Sequence, residues 1–288
     1  MENTMMKKLG RGMALLMGLI SASAALTGTA AAGADDDLIA KIKSTKKLDV
    51  SVGTSPFLTS VDASGQAHGI MPDILRAFLK RENIDATLNP VAMPFDSIIP
   101  ALVAGKVDLA ANTMFVTPAR ASKILFSGTM FYNSEALFVA KGNPLGIKSV
   151  ADLCGHVGAT YKGTVWVPLL EKASKECPNG KSIEIRLYVS GELVLQDILT
   201  GRVDGGLVDH WAGQYALSQD PSLKFEAAAG YVPVNRASNA IALPVNPKYK
   251  DFIGTFNKTY AAMLADGTVK AIFEKHGLNP TEPYLAPE

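Results

Sequence analysis

The sequence predicts an α/β protein folded as two lobes, and three observations carry that expectation. Short apolar runs alternate with amphipathic helical patterns from residue 48 to the C-terminal region, the rhythm of βαβ units and a mostly parallel sheet. The alternation is punctuated twice, at Phe131–Ser134 and near Tyr231–Ser238, as expected if the chain crosses between the same two lobes and returns. Of the 288 residues, about 256 remain beyond an N-terminal leader, enough for one large or two medium domains.

The leader comes first. Lys7, Lys8 and Arg11 precede the apolar run MALLMGLISASAAL and then TAAAGADDD. A basic segment, a short apolar core and an A-x-A site form the pattern of a secretory signal peptide, residues 1–32, with cleavage expected near Ala32 and Ala34 as the second choice. The run is short for a membrane span and is interrupted by Gly18, Ser21 and Ser23. Export is therefore expected. Loss of the leader removes three cations and Glu2, which takes the formal charge from +1 to −1. Such a balance gives no electrostatic reason to expect nucleic acid as a partner.

LDVSV (48–52) reads as a strand, and Ile70, Ile74, Leu75, Phe78 and Leu79 recur at helical spacing. A strand at 86–91 precedes a helix bearing Phe95, Ile98, Ile99, Leu102 and Val103, which stops at Gly105. VDLAA (107–111) is again strand-like, and Thr117-Pro118 opens the next helix with proline in its first turn. The series then repeats: strands at 136–140 and 155–159, a helix at 164–175, a strand at 183–188, a helix at 192–199 and a strand at 203–208. AIALPV is a returning strand, and two helices, 248–265 and 268–276, close the chain. The lobes are accordingly 33–132 together with 237–288, and 133–236. Two crossing strands would make a hinge, with a cleft between the lobes.

Cys154 and Cys177 are the only cysteines. Export makes a disulfide between them the expectation, with two unconnected buried thiols as the alternative. His68, His156, His210 and His276 are scattered without HxxxH or HExxH spacing, so no metal is expected. GxSxG, GxGxxG and a complete P-loop are absent; NGKS (179–182) lacks the first glycine. Neither a catalytic constellation nor a cofactor site follows from these patterns.

What stands at strand ends is a pair of opposite charges. Arg120 follows VDLAA through TPAR, and Asp209 directly follows the strand in GRVDGGLVDHW. Ligands of open α/β sheets bind outside the carboxyl ends of strands. The plainer readings are a solvated surface charge for Arg120 and a helix N-cap for Asp209.

FDSIIPALVAGKVDLAANTMFVTPARASKILFS, with GIMPDI, DLCGHVGATYKGT, GRVDGGLVD and ADGTVKAIFEKHGL in order around it, resembles the periplasmic amino-acid-binding proteins of ABC importers. The likeness runs over nearly the whole mature chain and implies a type II periplasmic-binding-protein fold: two mixed sheets flanked by helices, with a two-strand hinge. It implies that Arg120 of the T-P-x-R motif meets a ligand carboxylate and that Asp209 meets an ammonium. It further implies that Phe95 covers the ligand and that Gly163, Thr164 and Val165 complete the carboxylate site, with Thr113 a further contact. Trp166 and Phe57 join these as expected wall residues. The partners implied are a small-molecule amino acid and a membrane permease, and the protein is expected to act as a monomer.

The sequence departs from the family pattern where a ligand side chain would lie. Phe115 stands where a hydroxyl residue is common, the GTSPFLTSVD loop is short, and Met71 replaces an acid. These losses predict a neutral ligand, with an acidic one reaching Lys162 as the second choice. Two other classes compete: a cyclohexadienyl-dehydratase-like enzyme and a ligand-sensing module. The first needs a general acid after the Gly-Thr of the second lobe, where this chain has Val165, Trp166 and Val167; Tyr161 and Trp211 read as core.

Overall fold

The computed structural model describes residues 37–278. The expected leader (1–32) and the last part of the return segment (279–288) lie outside them.

Helix α1 (Leu38–Thr45) starts at Asp37, whose carboxylate accepts from Ala40 N at 2.8 Å and so satisfies a first-turn donor. β1 (Lys47–Val52) follows, then the short antiparallel pair β2 (Ser60–Val61) and β3 (Ala67–His68). α2 (Ile70–Arg81) buries Ile70, Met71, Ile74, Leu75, Phe78 and Leu79 on one helical face. It starts at Gly69, with φ 117°, where a Cβ would stand 2.6 Å from Leu58 O. Only glycine fits that approach. Next come β4 (Thr87–Ala92), a 3-10 turn at Phe95–Ser97, α3 (Ile98–Val103), β5 (Leu109–Phe115), the single turn α4 (Pro118–Ala121) and β6 (Ile124–Phe126).

β7 (Phe131–Ala140) then leads into a second group of elements. These are β8 (Val157–Tyr161), α5 (Trp166–Lys175), β9 (Glu184–Tyr188), α6 (Gly191–Leu199), β10 (Gly205–Asp209), α7 (His210–Gln219) and β11 (Phe225–Ala227). β12 (Arg236–Pro244) brings the chain back, and α8 (Lys250–Ala265) and α9 (Thr268–Lys275) follow.

The strands run in the order β4-β1-β5-β12-β7-β10-β8-β9, with β6 on β12 and β11 on β7. β1 is parallel to β4 and β5, and β8 is parallel to β9 and β10. β7 and β12 are antiparallel to every neighbour. The mostly parallel sheet read from the βαβ rhythm gives way to the mixed one that the resemblance implied, because the two long crossing strands enter each βαβ group from the opposite direction. The two expected sheets also run into one another. Residues 131–134 of β7 pair with 236–239 of β12, and residues 135–139 pair with β10.

Helices pack on both groups through aromatic clusters. Phe78 of α2 meets Phe252 and Phe256 of α8 edge-on, each at 5.3 Å between ring centroids. Trp211 of α7 lies 5.0 Å from Phe131 and 5.4 Å from Phe273 of α9, so the reading of Trp211 as core is right. Cys154, just before β8, is joined to Cys177, just after α5, with their Cα atoms 5.5 Å apart. The alternative of two separate thiols is set aside. Closing a loop across 23 residues removes unfolded-state entropy worth roughly 3 kcal/mol in the chain-entropy model. The bond ties α5 back on its strand.

Candidate functional site

The carboxyl ends of β1, β5, β8 and β10 surround one solvent-open cavity of about 810 Å³. The turn after β1 (Gly53–Thr59), Met93–Phe95 and the end of β5 form one wall. Tyr161, Thr164–Trp166, Val189–Glu192 and Asp209 form the other. Parallel strands aim their loops at the same place, which is why residues more than a hundred positions apart meet there.

Arg120 is held between the walls. Thr117 caps α4, its hydroxyl accepting from Arg120 N at 3.2 Å, with Pro118 at the first helical position. From there Arg120 Nη1 donates to Phe115 O at 2.8 Å, and Nη2 donates across the cavity to Gly163 O at 3.0 Å. Its Cζ lies 5.4 Å from the Phe95 ring centroid, within cation–π range. Burial pulls the guanidinium pKa down, with Tyr161 acting in the opposite sense. An arginine stays charged all the same, and here its hydrogen bonds go to main-chain carbonyls. Gly163 has φ 81°, and a Cβ there would lie 2.9 Å from Asp96 Cα. The glycine lets the two walls approach.

Asp209 ends β10. It is the residue before α7, yet its side chain makes no capping bond, so the N-cap reading fails. Instead Oδ2 accepts from Tyr161 OH and Oδ1 from Asn133 Nδ2, each at 2.6 Å. Burial, with a smaller push from Glu192, raises its pKa to about 6 against the opposing effect of those hydrogen bonds. Burial and the neighbouring Asp209 also hold the Tyr161 phenol far above its ordinary value, so it stays a donor. The result is a half-buried, ionisable carboxylate and a half-buried guanidinium lining one cavity, the arrangement that suits a solute carrying both charges.

Three buried polar atoms lining the cavity, from both walls, have no protein partner: Ser55 Oγ, Thr59 Oγ1 and Trp166 Nε1. Buried polar groups of this kind are normally completed by water, an ion or a ligand.

A family model described as bacterial extracellular solute-binding proteins, family 3, matches residues 31–279. The chain belongs to that family. It is 26% identical over 274 residues to the lysine/arginine/ornithine-binding periplasmic protein of Escherichia coli, covering 94% of this chain and 97% of that one. It is 26% identical over 271 residues to the L-cystine-binding protein TcyJ of the same species, with the same coverages. Among solved structures, an ancestral arginine-binding protein bound to arginine superposes with a TM-score of 0.68 at 26% identity, covering 80% of this chain and 97% of that one. The family and these relatives are binding proteins rather than enzymes.

In this solute-binding protein the cavity gathers Arg120, Asp209, Phe95, Thr164, Val165, Trp166 and Phe57. Gly163 stands beside it and contributes its carbonyl to Arg120. Thr113 lies within β5, and its side chain falls outside the described residues. Phe57 is buried against Tyr215 of α7, with centroids 5.1 Å apart. Three further positions bear on the side-chain pocket. Met71 is fully buried on the inner face of α2 and does not line the cavity. Lys162 is exposed and lies off the wall. And the wall holds an acid that sequence reasoning passed over, Glu192. The argument for a neutral ligand rested on there being no such anion.

Tyr161, read from sequence as core, is instead the hydroxyl partner of Asp209. Asn133 was missed as well. The available signal was its position at the first crossing, next to the strand register that brings β7 against β10.

Proposed function

We propose that this protein captures an L-α-amino acid between two lobes and delivers it to the permease of an ABC importer. The observation that carries this reading is Arg120 and Asp209 set on opposing walls of one cavity. The planar fork of arginine suits a carboxylate, and Asp209 supplies the counter-charge for an ammonium. Names of the relatives, which bind basic amino acids and cystine, support the same class of ligand. The strand groups act as lobes, 33–132 with 237–288 and 133–236, turning about β7 and β12. Contacts that span the cavity, Arg120 with Gly163 and Thr54 with Glu192, belong to the closed state. The protein is exported to the periplasm after cleavage near Ala32 and works as a monomer.

Affinity is expected to be micromolar or tighter, about 8 kcal/mol. A thermal-shift screen of the chain without its leader against the common amino acids tests this. At a hundredfold excess over Kd, binding to the folded state adds about 2.7 kcal/mol, which for a chain of this size raises Tm by roughly 5–10 °C. A flat response to every amino acid would remove the reading.

A further inference from the structure

We propose that Glu192 reads the far end of the solute and selects an amino acid whose side chain carries a cation, an ammonium or a guanidinium. The inference rests on the amino-acid reading above and names the residue that narrows it.

Glu192 stands in the first turn of α6, half-buried, on the cavity wall. A glutamate there is favoured by the helix dipole whatever it faces. Its surroundings give it a second role. Thr54 Oγ1 lies 3.5 Å from its Oε2, so the carboxylate stands against the turn that follows β1. That turn is closed by Thr59 N donating to Ser55 O at 2.9 Å, which sets the Ser55 and Thr59 hydroxyls on the wall opposite Glu192, both buried and both without a partner. The carboxylate accepts only, and each hydroxyl can accept while donating to the carboxylate or to its own backbone, so the set can present acceptors to a ligand. The groups that match such a set are donor-only: an ammonium has three N–H donors and a guanidinium five, with no acceptor to be left unsatisfied.

Charge balance points the same way. The wall carries one cation, Arg120, against two anions, Asp209 and Glu192. A neutral zwitterion pairs Arg120 and Asp209 and leaves Glu192 enclosed without a counter-charge, which is costly in a closed site. A second positive charge on the ligand cancels it and also relieves the repulsion between Glu192 and Asp209. Phe57 and Leu58 in the same turn offer apolar surface to a methylene stem, which long cationic side chains bury while their heads stay paired.

The discriminating pair is lysine and norleucine, which share a stem and differ in the terminal ammonium. Calorimetry on the chain without its leader is expected to rank lysine at least tenfold tighter than norleucine. In Glu192→Gln, lysine is expected to lose at least tenfold, while norleucine does not weaken and the ligand-free Tm falls by no more than about 3 °C, the loss of one helix-dipole contact. Glu192→Asp is expected to restore part of the lysine preference. Norleucine binding as tightly as lysine, or a lysine preference that survives Glu192→Gln, overturns the inference and leaves the amino-acid reading standing. If no amino acid binds at all, the amino-acid reading falls and this inference falls with it.

Discussion

Asp209→Asn is expected to weaken amino-acid binding by at least 30-fold, about 2 kcal/mol, because truncating one member of a buried charge pair leaves the other unpaired. Asn keeps an oxygen able to accept from Tyr161 or Asn133, so the loss reads the charge rather than a collapsed site. The pH dependence gives an independent signature. The Asp209 carboxyl sits at about 6 in the folded protein, above its ordinary value near 3.9. The folded state therefore binds the proton more tightly than the unfolded one, and its contribution to ligand-free stability is complete below about pH 4 and lost as pH rises through 6. The Tm of Asp209→Asn relative to the parent should rise across that window. Ligand binding follows the opposite course: an ammonium favours the ionised carboxylate, so parent affinity should fall as pH drops below about 6, roughly tenfold per unit. Calorimetric titrations at several pH values check both. Equal affinity in parent and variant at pH 7.5 would take Asp209 out of the site.

The second large effect belongs to Arg120. Arg120→Lys is expected to cost at least about 2 kcal/mol of binding, because an ammonium cannot make the two parallel bonds of the guanidinium fork. The structure adds a reason. Arg120 already uses Nη1 on Phe115 O and Nη2 on Gly163 O, so it ties one wall to the other as well as facing the cavity. A lysine reaches one of those carbonyls at most, and closure should weaken with recognition. Titration of the variant with the best amino acid from the thermal-shift screen is the measurement. Unchanged affinity would mean that the carboxylate is bound elsewhere.

Much of the fold was legible because its signals are local. The spacing of Ile70, Ile74, Leu75, Phe78 and Leu79 marks the buried face of α2, and Thr117-Pro118 marks the start of α4. Other parts depend on partners distant in sequence. β7 begins at Phe131, five residues before its apolar run, and includes Asn133, Ser134 and Glu135. Their polarity argues against a strand until their partners are known. Asn133 is paired with Asp209, 76 positions on, and the fully buried Glu135 accepts from Tyr231 OH and the amides of Val234 and Asn235. The turn into β12 thus carries the acceptor's donors, and neither strand can be bounded without the other.

The site shows the same division. Asp209 stands out because a charge at the end of an apolar strand is conspicuous, Arg120 because it sits in the T-P-x-R start of a helix, and the family resemblance names both. Glu192 does not stand out: an acid in the first turn of a helix is ordinary, and its neighbour Thr54 is 138 positions away. Tyr161 was assigned to the core for a similar reason, since an aromatic at a strand end reads as packing until its hydroxyl is seen to meet Asp209. Nearest-neighbour chemistry across a cleft leaves no periodic trace.

The central claim is the zwitterion clamp, and a crystal structure of the protein with its best-binding amino acid tests it most directly. The account expects the α-carboxylate within hydrogen-bond distance of the Arg120 guanidinium and the α-ammonium against an Asp209 carboxylate that still accepts from Tyr161. An amino acid bound in this cavity with its carboxylate away from Arg120, or with its ammonium paired to some group other than Asp209, would contradict it.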